Sequence, residues 1–426
     1  MNSIINRSVA PSSEELNNFK IIEGNIISIS NNIDLHIINA GTSDIIKLDI
    51  ICDGGVRNQK KNPIAAATSA LLREGTNTKT ALQIADELDF YGAYLQTHCT
   101  ADDSIINLFC LKKHFDSCLS YVLDIICNSY FPDNEINIYK NNSIQRLLVN
   151  KQRNSFLVRR LFYSSIFGPI SPYGIYSESD DYTNFSRENL LEFFDENYKN
   201  KVKYIVLSGE IDNSIINCCE TFFCDLKNNS KSIKPITKSG KINDLQFFDR
   251  NGAVQSAIRI GRRIVNRTHI DYRKLQILNL ILGGYFGSRL MKNIREEKGL
   301  TYGIYSVLES FIDDGCFFIE TEINNDLREK GLKEIYLELK KLREILISEE
   351  ELILAKNYLL GSFLRSIDGP FSLADRHKIL VDYGLDYNYY YEYINIIKNI
   401  KAKEIRELAN TYLQEKDLSE IIVGSK

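Results

Sequence analysis

Apolar and polar positions along this chain change rhythm in an order that occurs twice. "DIIKLDIICDGG" (44–55) alternates with period two and ends in glycines, which predicts a strand. "IAAATSALLREGT" is apolar enough for a buried helix. "TALQIADELDFYG" has helical spacing with Leu82, Ala85 and Leu88 on one face, a capping box at Thr80 and Gln83, and Gly92 as its stop. Two alternating runs, "AYLQTHCT" and "SIINLFCL", predict paired strands, and helices follow over "HFDSCLSYVLDIICNS" and "FPDNEINIYKNNSIQRLL".

The second half repeats this order. "AVQSAIRIG" predicts a strand, and "YRKLQILNLILGG" and "SRLMKNIREEKG" two helices stopped by glycine. "TYGIYSVLES" and "GCFFIETEI" predict the paired strands. A long helix follows with Leu332, Ile335, Leu339 and Leu342 on one side, then another capped by Ser348 and Glu351. Between the halves "KNNSKSIKPITKSGK" has five lysines and no periodicity, as a linker does. The expected organisation is two homologous domains, 1–228 and 244–426, joined by a linker at 229–243. Each mixes helices with a mainly antiparallel sheet, so the class is α+β with helices packed on one face.

Composition narrows the function. A length of 426 residues favours more than one domain, and 44% hydrophobic with 25% charged residues describes a soluble globular chain. A net charge of -4 gives no sign of a nucleic-acid partner. The N-terminus has no signal-peptide pattern and no apolar run is long enough to span a bilayer, so no membrane partner and a cytoplasmic location are expected. The nine cysteines form no C-x-x-C pair and read as small buried hydrophobes. The five histidines, His36, His98, His114, His269 and His377, show no ligand-like spacing. His98 with Cys99 is a poor site, because adjacent strand residues point to opposite faces.

The densest chemistry lies in "GGYFGSRLMKNIREEKGLTYGIYS" (283–306). Its first three glycines suit a tight turn and not a phosphate cradle, since the P-loop lysine is missing and no strand precedes them. Arg295 and Tyr302 are seven residues apart, bridging a helix end, a glycine stop and a strand start. Taken alone they read as a solvated arginine, or one paired with Glu296 or Glu297, and an ordinary strand tyrosine.

With the duplication around it, this stretch resembles the second-domain signature of the pitrilysin/insulinase-type zinc metallopeptidases. The resemblance runs from about Phe19 to the end. It implies a half-clamshell fold in which Arg295 and Tyr302 reach a peptide carbonyl. Fixed donors aimed at the oxygen that gains charge lower the barrier, and losing one typically costs about 3–4 kcal/mol.

The resemblance also says what should accompany them: H-x-x-E-H on the first helix of the first domain, two histidines for zinc and a glutamate for water. Anchored on Gly75-Thr76, those positions are Ala66, Ser69 and Ala70, and the later glutamate ligand falls near Gln145. No ligand or base remains, so no metal is expected in this chain and it should be inactive alone. Some members of the family divide the work between two chains. The resemblance therefore implies a non-catalytic subunit of a heterodimeric zinc peptidase. Its homologous partner would carry H-x-x-E-H and the zinc, and its substrate would be unfolded peptide, for turnover or processing. The matching first-domain strand, "GAYLQTHC", would be a vestigial substrate edge. Two alternatives stay open: a structural scaffold of the same fold with no proteolytic role, and a lone peptidase with unusual ligands.

Overall fold

A computed structural model of the chain describes residues 19–29, 33–199, 201–226, 236 and 244–426. The expected linker at 229–243 lies, apart from Ile236, outside the described residues. The first sheet contains β1 (Asn25–Ile29), β2 (Ile33–Asn39), β3 (Ile45–Cys52), β4 (Tyr94–Cys99), β5 (Ser104–Leu111) and β6 (Val202–Gly209), in the order β1-β2-β6-β3-β5-β4. The second contains β7 (Leu245–Asp249), β8 (Gln255–Ile264), β9 (Ile304–Ser310), β10 (Gly315–Asn324) and β11 (Ser419–Gly424), in the order β7-β11-β8-β10-β9. With β1 set aside the two orders are the same, and each sheet has its one parallel pair at the same place, β2 with β6 and β7 with β11. The duplication read from the sequence is thus present in the topology.

The helices repeat as well. The first half has α1 (Ile64–Leu71), α2 (Ala81–Phe90), α3 (Phe115–Asn128), α4 (Asp133–Asn150), α5 (Asn154–Phe167), α6 (Ser179–Thr183), α7 (Arg187–Asn197) and α8 (Asn213–Phe222). The second has α9 (Tyr272–Asn279), two wide-turned helical segments at Leu280–Gly284 and Met291–Glu297, then α10 (Arg328–Glu344), α11 (Glu349–Arg365), α12 (Pro370–Tyr383), α13 (Asn388–Asn399) and α14 (Ala402–Tyr412). Leu332, Ile335, Leu339 and Leu342 are all buried, as the spacing on α10 requires. At α2 the capping box of Thr80 and Gln83 forms, but the buried face is Ile84 and Leu88, and Leu82 and Ala85 are exposed. Ser348 caps α11 by accepting from the Glu351 amide at 3.1 Å, while the Glu351 carboxylate is held by both arms of Arg289 at 2.7 Å.

The helices following the two hairpins cross over. α5, from the first half, lies on the second sheet against β8 and β11, and α12, from the second half, lies on the first sheet against β2 and β6. Each sheet therefore has its own helices on one face and a single exchanged helix on the other. This explains why β3, a strand of alternating polarity, is buried on both faces. Its polar members Lys47 and Asp49 lie under α12 and pair at 3.0 Å, and Lys47 also reaches Asp375 of α12 at 2.7 Å. The second sheet hides the equivalent pair: Arg259 of β8 donates through Nε to Glu320 of β10 at 2.7 Å, beneath Phe162 and Tyr163 of α5. Val158, Phe162 and Ile166 pack there on Ala257, Phe318 and Ile421, each apolar side chain contributing about 1.5–3 kcal/mol.

Polar contacts fasten the halves together. Arg57, 4% exposed, donates to Asp102 at 2.9 Å and to Asp313 at 2.7 Å, and Tyr173 donates to the same Asp102 oxygen at 2.8 Å. Tyr204 of β6 donates to Asp382 of α12. His36 of β2 meets His377 of α12 at 2.8 Å, so two histidines that sequence spacing left apart are in direct contact. No described helix is long and apolar enough to cross a membrane.

Candidate functional site

β9 is an edge of the second sheet, and the segments before it shape its start. The chain passes so close to β9 at Gly283 that a Cβ there would stand 2.6 Å from the Ser306 amide nitrogen. At Gly287 a Cβ would meet the Tyr285 ring at 2.8 Å. Neither glycine has a positive φ, so both are present for close approach. Gly299 differs: its φ of 60° lies in the left-handed region, and it turns the second helical segment toward β9.

The segment carrying Arg295 is held from several sides. Leu290 and Ile294 are in the core. Asn293 donates to Glu338 of α10 at 2.7 Å, Lys298 pairs with Glu334 of α10 at 2.7 Å, and Arg289 forks onto Glu351 of α11. Arg295 and Tyr302 do come together: the guanidinium carbon is 5.4 Å from the Tyr302 ring centre and 4.8 Å from that of Phe286. A cation between two ring faces gains roughly 0.5–1 kcal/mol from each at an exposed site, enough to bias its direction. Phe286, 61% exposed, belongs to the site and was not singled out from the sequence. Its signal was there, a large apolar residue among glycines with no periodic partner.

Among the described residues no carboxylate comes within ion-pair distance of Arg295, the adjacent Glu296 and Glu297 included. The Tyr302 side chain is 92% exposed. The site therefore presents a planar fork of charged donors beside a phenolic hydroxyl, both free to meet a ligand oxygen.

The first-half positions look different. Ala66 and Ala70 are exposed one turn apart on α1, Ser69 is buried, and Gln145 is exposed on α4. These side chains have no group that binds zinc, so they do not fit the metal that the fold family implies. Among the described residues no cluster of three His, Cys, Asp or Glu could hold a metal ion. His98 is exposed and bonds Gln96 at 3.3 Å, while burial pushes the neighbouring Cys99 thiol up to about 12. β4, the expected vestigial edge, is the last strand of its sheet, and Arg73 donates to its Leu95 carbonyl at 3.0 Å.

Comparison with known proteins bears on the fold and the family resemblance. Residues 184–359 match the model of the peptidase M16 inactive domain, so the resemblance read from the sequence is borne out. A protein of Rickettsia felis named an uncharacterized zinc protease is 29% identical over 412 residues, 93% of this chain and 97% of that protein. A protein of Helicobacter pylori named a non-peptidase homolog is 22% identical over 396 residues, 88% of this chain and 87% of its own length. A crystal structure of a peptidase M16 inactive domain from Pseudomonas fluorescens superposes with a TM-score of 0.86 at 20% identity, covering 95% of this chain and 98% of that one. The fold is that of these domains.

Proposed function

We propose that this chain, which carries a peptidase M16 inactive domain, is the substrate-gripping subunit of a two-chain zinc peptidase. A homologous partner would hold the H-x-x-E-H helix and the zinc. The observation that carries this reading is Arg295: an unpaired guanidinium fixed between Phe286 and Tyr302, on a segment braced by α10 and α11. An arginine with only a structural role would be expected to spend its donors within its own chain.

In such a complex the partner's metal would supply polarisation of the carbonyl and of water. This chain's part is binding and charge stabilisation. Arg295 donates to the carbonyl oxygen as it becomes negative, and the Tyr302 hydroxyl donates beside it. Both are positioned before the reaction, so little reorganisation is needed when the charge appears. The first sheet supports the division of labour. α1 has no ligand side chains, and Arg73 occupies a carbonyl of the β4 edge, where peptide would add as a strand. The working edge would then be the partner's. The printed name of the Helicobacter pylori relative, a non-peptidase homolog, is in keeping with this.

The test is reconstitution with an H-x-x-E-H homologue. Arg295→Ala and Tyr302→Phe should each lower kcat/KM by about 10²–10³-fold, with co-elution of the two chains unchanged. Unaltered turnover in both variants would remove the pair from the mechanism and leave a scaffold.

A further inference from the structure

Behind Gly284, in the second half, a cavity of about 240 Å³ lies between α9, α11, α12 and α13. Two arginines line it, Arg267 from the loop after β8 and Arg376 from α12. Neither has a carboxylate within ion-pair distance among the described residues. Arg267 lies over the Tyr272 and Tyr383 rings at 5.4 and 5.9 Å, and Arg376 bonds Ser366 through Nε at 3.0 Å. Arg273, by contrast, sits over the Tyr389 ring at 5.0 Å and is matched by Glu392.

Two polar atoms at the cavity have unmet hydrogen-bonding capacity. The hydroxyl of Tyr389, a residue only 5% exposed, faces the Arg267 guanidinium, itself a donor, so its O–H has no acceptor, and Asn279 Oδ1 has no hydrogen-bond partner. Sealed polar atoms with unmet capacity and two like charges around one space are both unfavourable. A single ligand would relieve both. Guanidinium forks match tetrahedral and planar oxyanions, and a phenol is a further donor. Asn279 Nδ2 already donates to the Ser306 carbonyl at 3.3 Å, so Oδ1 is left needing a donor from the ligand. The volume is below the roughly 300–1,000 Å³ of sites for drug-sized molecules, which limits the occupant to a small ion.

We infer that this cavity binds phosphate, held by Arg267 and Arg376, accepting from Tyr389 and donating its remaining O–H to Asn279. Carboxylates and sulfate share the acceptor chemistry and lack that proton at neutral pH.

The test is calorimetric titration and thermal unfolding of the full chain with inorganic phosphate, sulfate, acetate and chloride at equal ionic strength. Saturable phosphate binding is expected, tighter than sulfate or acetate. Arg376→Gln should weaken it by about 10- to 100-fold. Tyr389→Phe, which removes the hydroxyl and leaves both arginines in place, should also weaken phosphate, by less than Arg376→Gln does. Phosphate that stabilises no more than chloride, or binds both variants as it binds the natural chain, would overturn the assignment.

Discussion

The contact between His36 and His377 makes the joint between the halves sensitive to acid. The Gly24 amide donates to the Tyr387 hydroxyl at 2.7 Å. That hydroxyl, already accepting, donates to His377 Nδ1 at 2.6 Å, so His377 carries its proton on Nε2 and donates to His36 Nδ1 at 2.8 Å. Both rings are about 95% buried and neutral in this chain of bonds. Burial, and then the neighbouring His36, lowers His377 from 6.5 to about 4; burial also lowers His36 against the pull of Asp34. Each unit of pKa is about 1.4 kcal/mol of preference for the neutral ring, so His377 represents roughly 3 kcal/mol. The sign follows from proton counting. Above pH 6.5 the ring is neutral in both states and pH has no effect through it. Below 6.5 the unfolded chain takes up the proton and the folded chain does not, so stability falls until about pH 4, where both are protonated. Between pH 7 and pH 5 the expected loss through His377 is about 2 kcal/mol. Urea unfolding of the natural chain and of His377→Gln at both pH values isolates it, because other titrating groups cancel in the difference. The variant should cost about 1 kcal/mol at pH 7, for the lost hydrogen bond, yet flatten the pH dependence by about 2 kcal/mol. An equal difference between the two proteins at pH 5 and pH 7 would show that His377 is not held neutral.

Other substitutions test other parts of the structure. Arg57→Gln removes the cation shared by Asp102 and Asp313 and should destabilise by about 3–5 kcal/mol in denaturant unfolding; Asp102→Asn in the same chain should restore part of it. Gly283→Ala drives a methyl into the Ser306 backbone and should cost about 1–3 kcal/mol together with activity of the reconstituted pair. Gly303→Ala, with nothing within 4 Å of the added carbon and no positive φ, should be within about 0.5 kcal/mol of neutral. On α2, Leu82→Ala should be similarly silent and Ile84→Ala should cost about 2–5 kcal/mol, as the observed buried face requires.

Much of the fold was legible wherever burial is decided locally. α10 packs one face on one core, so its spacing of three and four residues named every buried leucine and isoleucine on that face. Legibility failed where a distant element decides burial. Lys47 and Asp49 have the pattern of a solvated strand face, and only the arrival of α12 from the other half buries them. The same exchange brings His377 to His36 across 341 positions, a separation at which ligand-spacing rules have nothing to say. At α2 the spacing Leu82, Ala85, Leu88 and the spacing Ile84, Leu88 are both helical, and which stripe turns inward depends on the surface beneath. At the site, Arg295 and Tyr302 were found through the resemblance, and Phe286 was passed over because an aromatic residue beside glycines looks like packing until its exposure is known.

Does the order of the Arg295 segment depend on α1, where the first-half positions 66, 69 and 70 lie? The answer lies in what supports each part. The side chains that brace the Arg295 segment are Glu334 and Glu338 of α10 and Glu351 of α11, and the rings beside the guanidinium are Phe286 and Tyr302. All belong to the second half, and none of these contacts passes through α1. The side chains at 66, 69 and 70 on α1 therefore have no part in orienting Arg295. The reverse also holds: α1 packs with α7 and β4, within the first half. In a fold built twice, the Arg295 segment and α1 rest on separate copies of the same architecture, so a change at one leaves the contacts that shape the other in place.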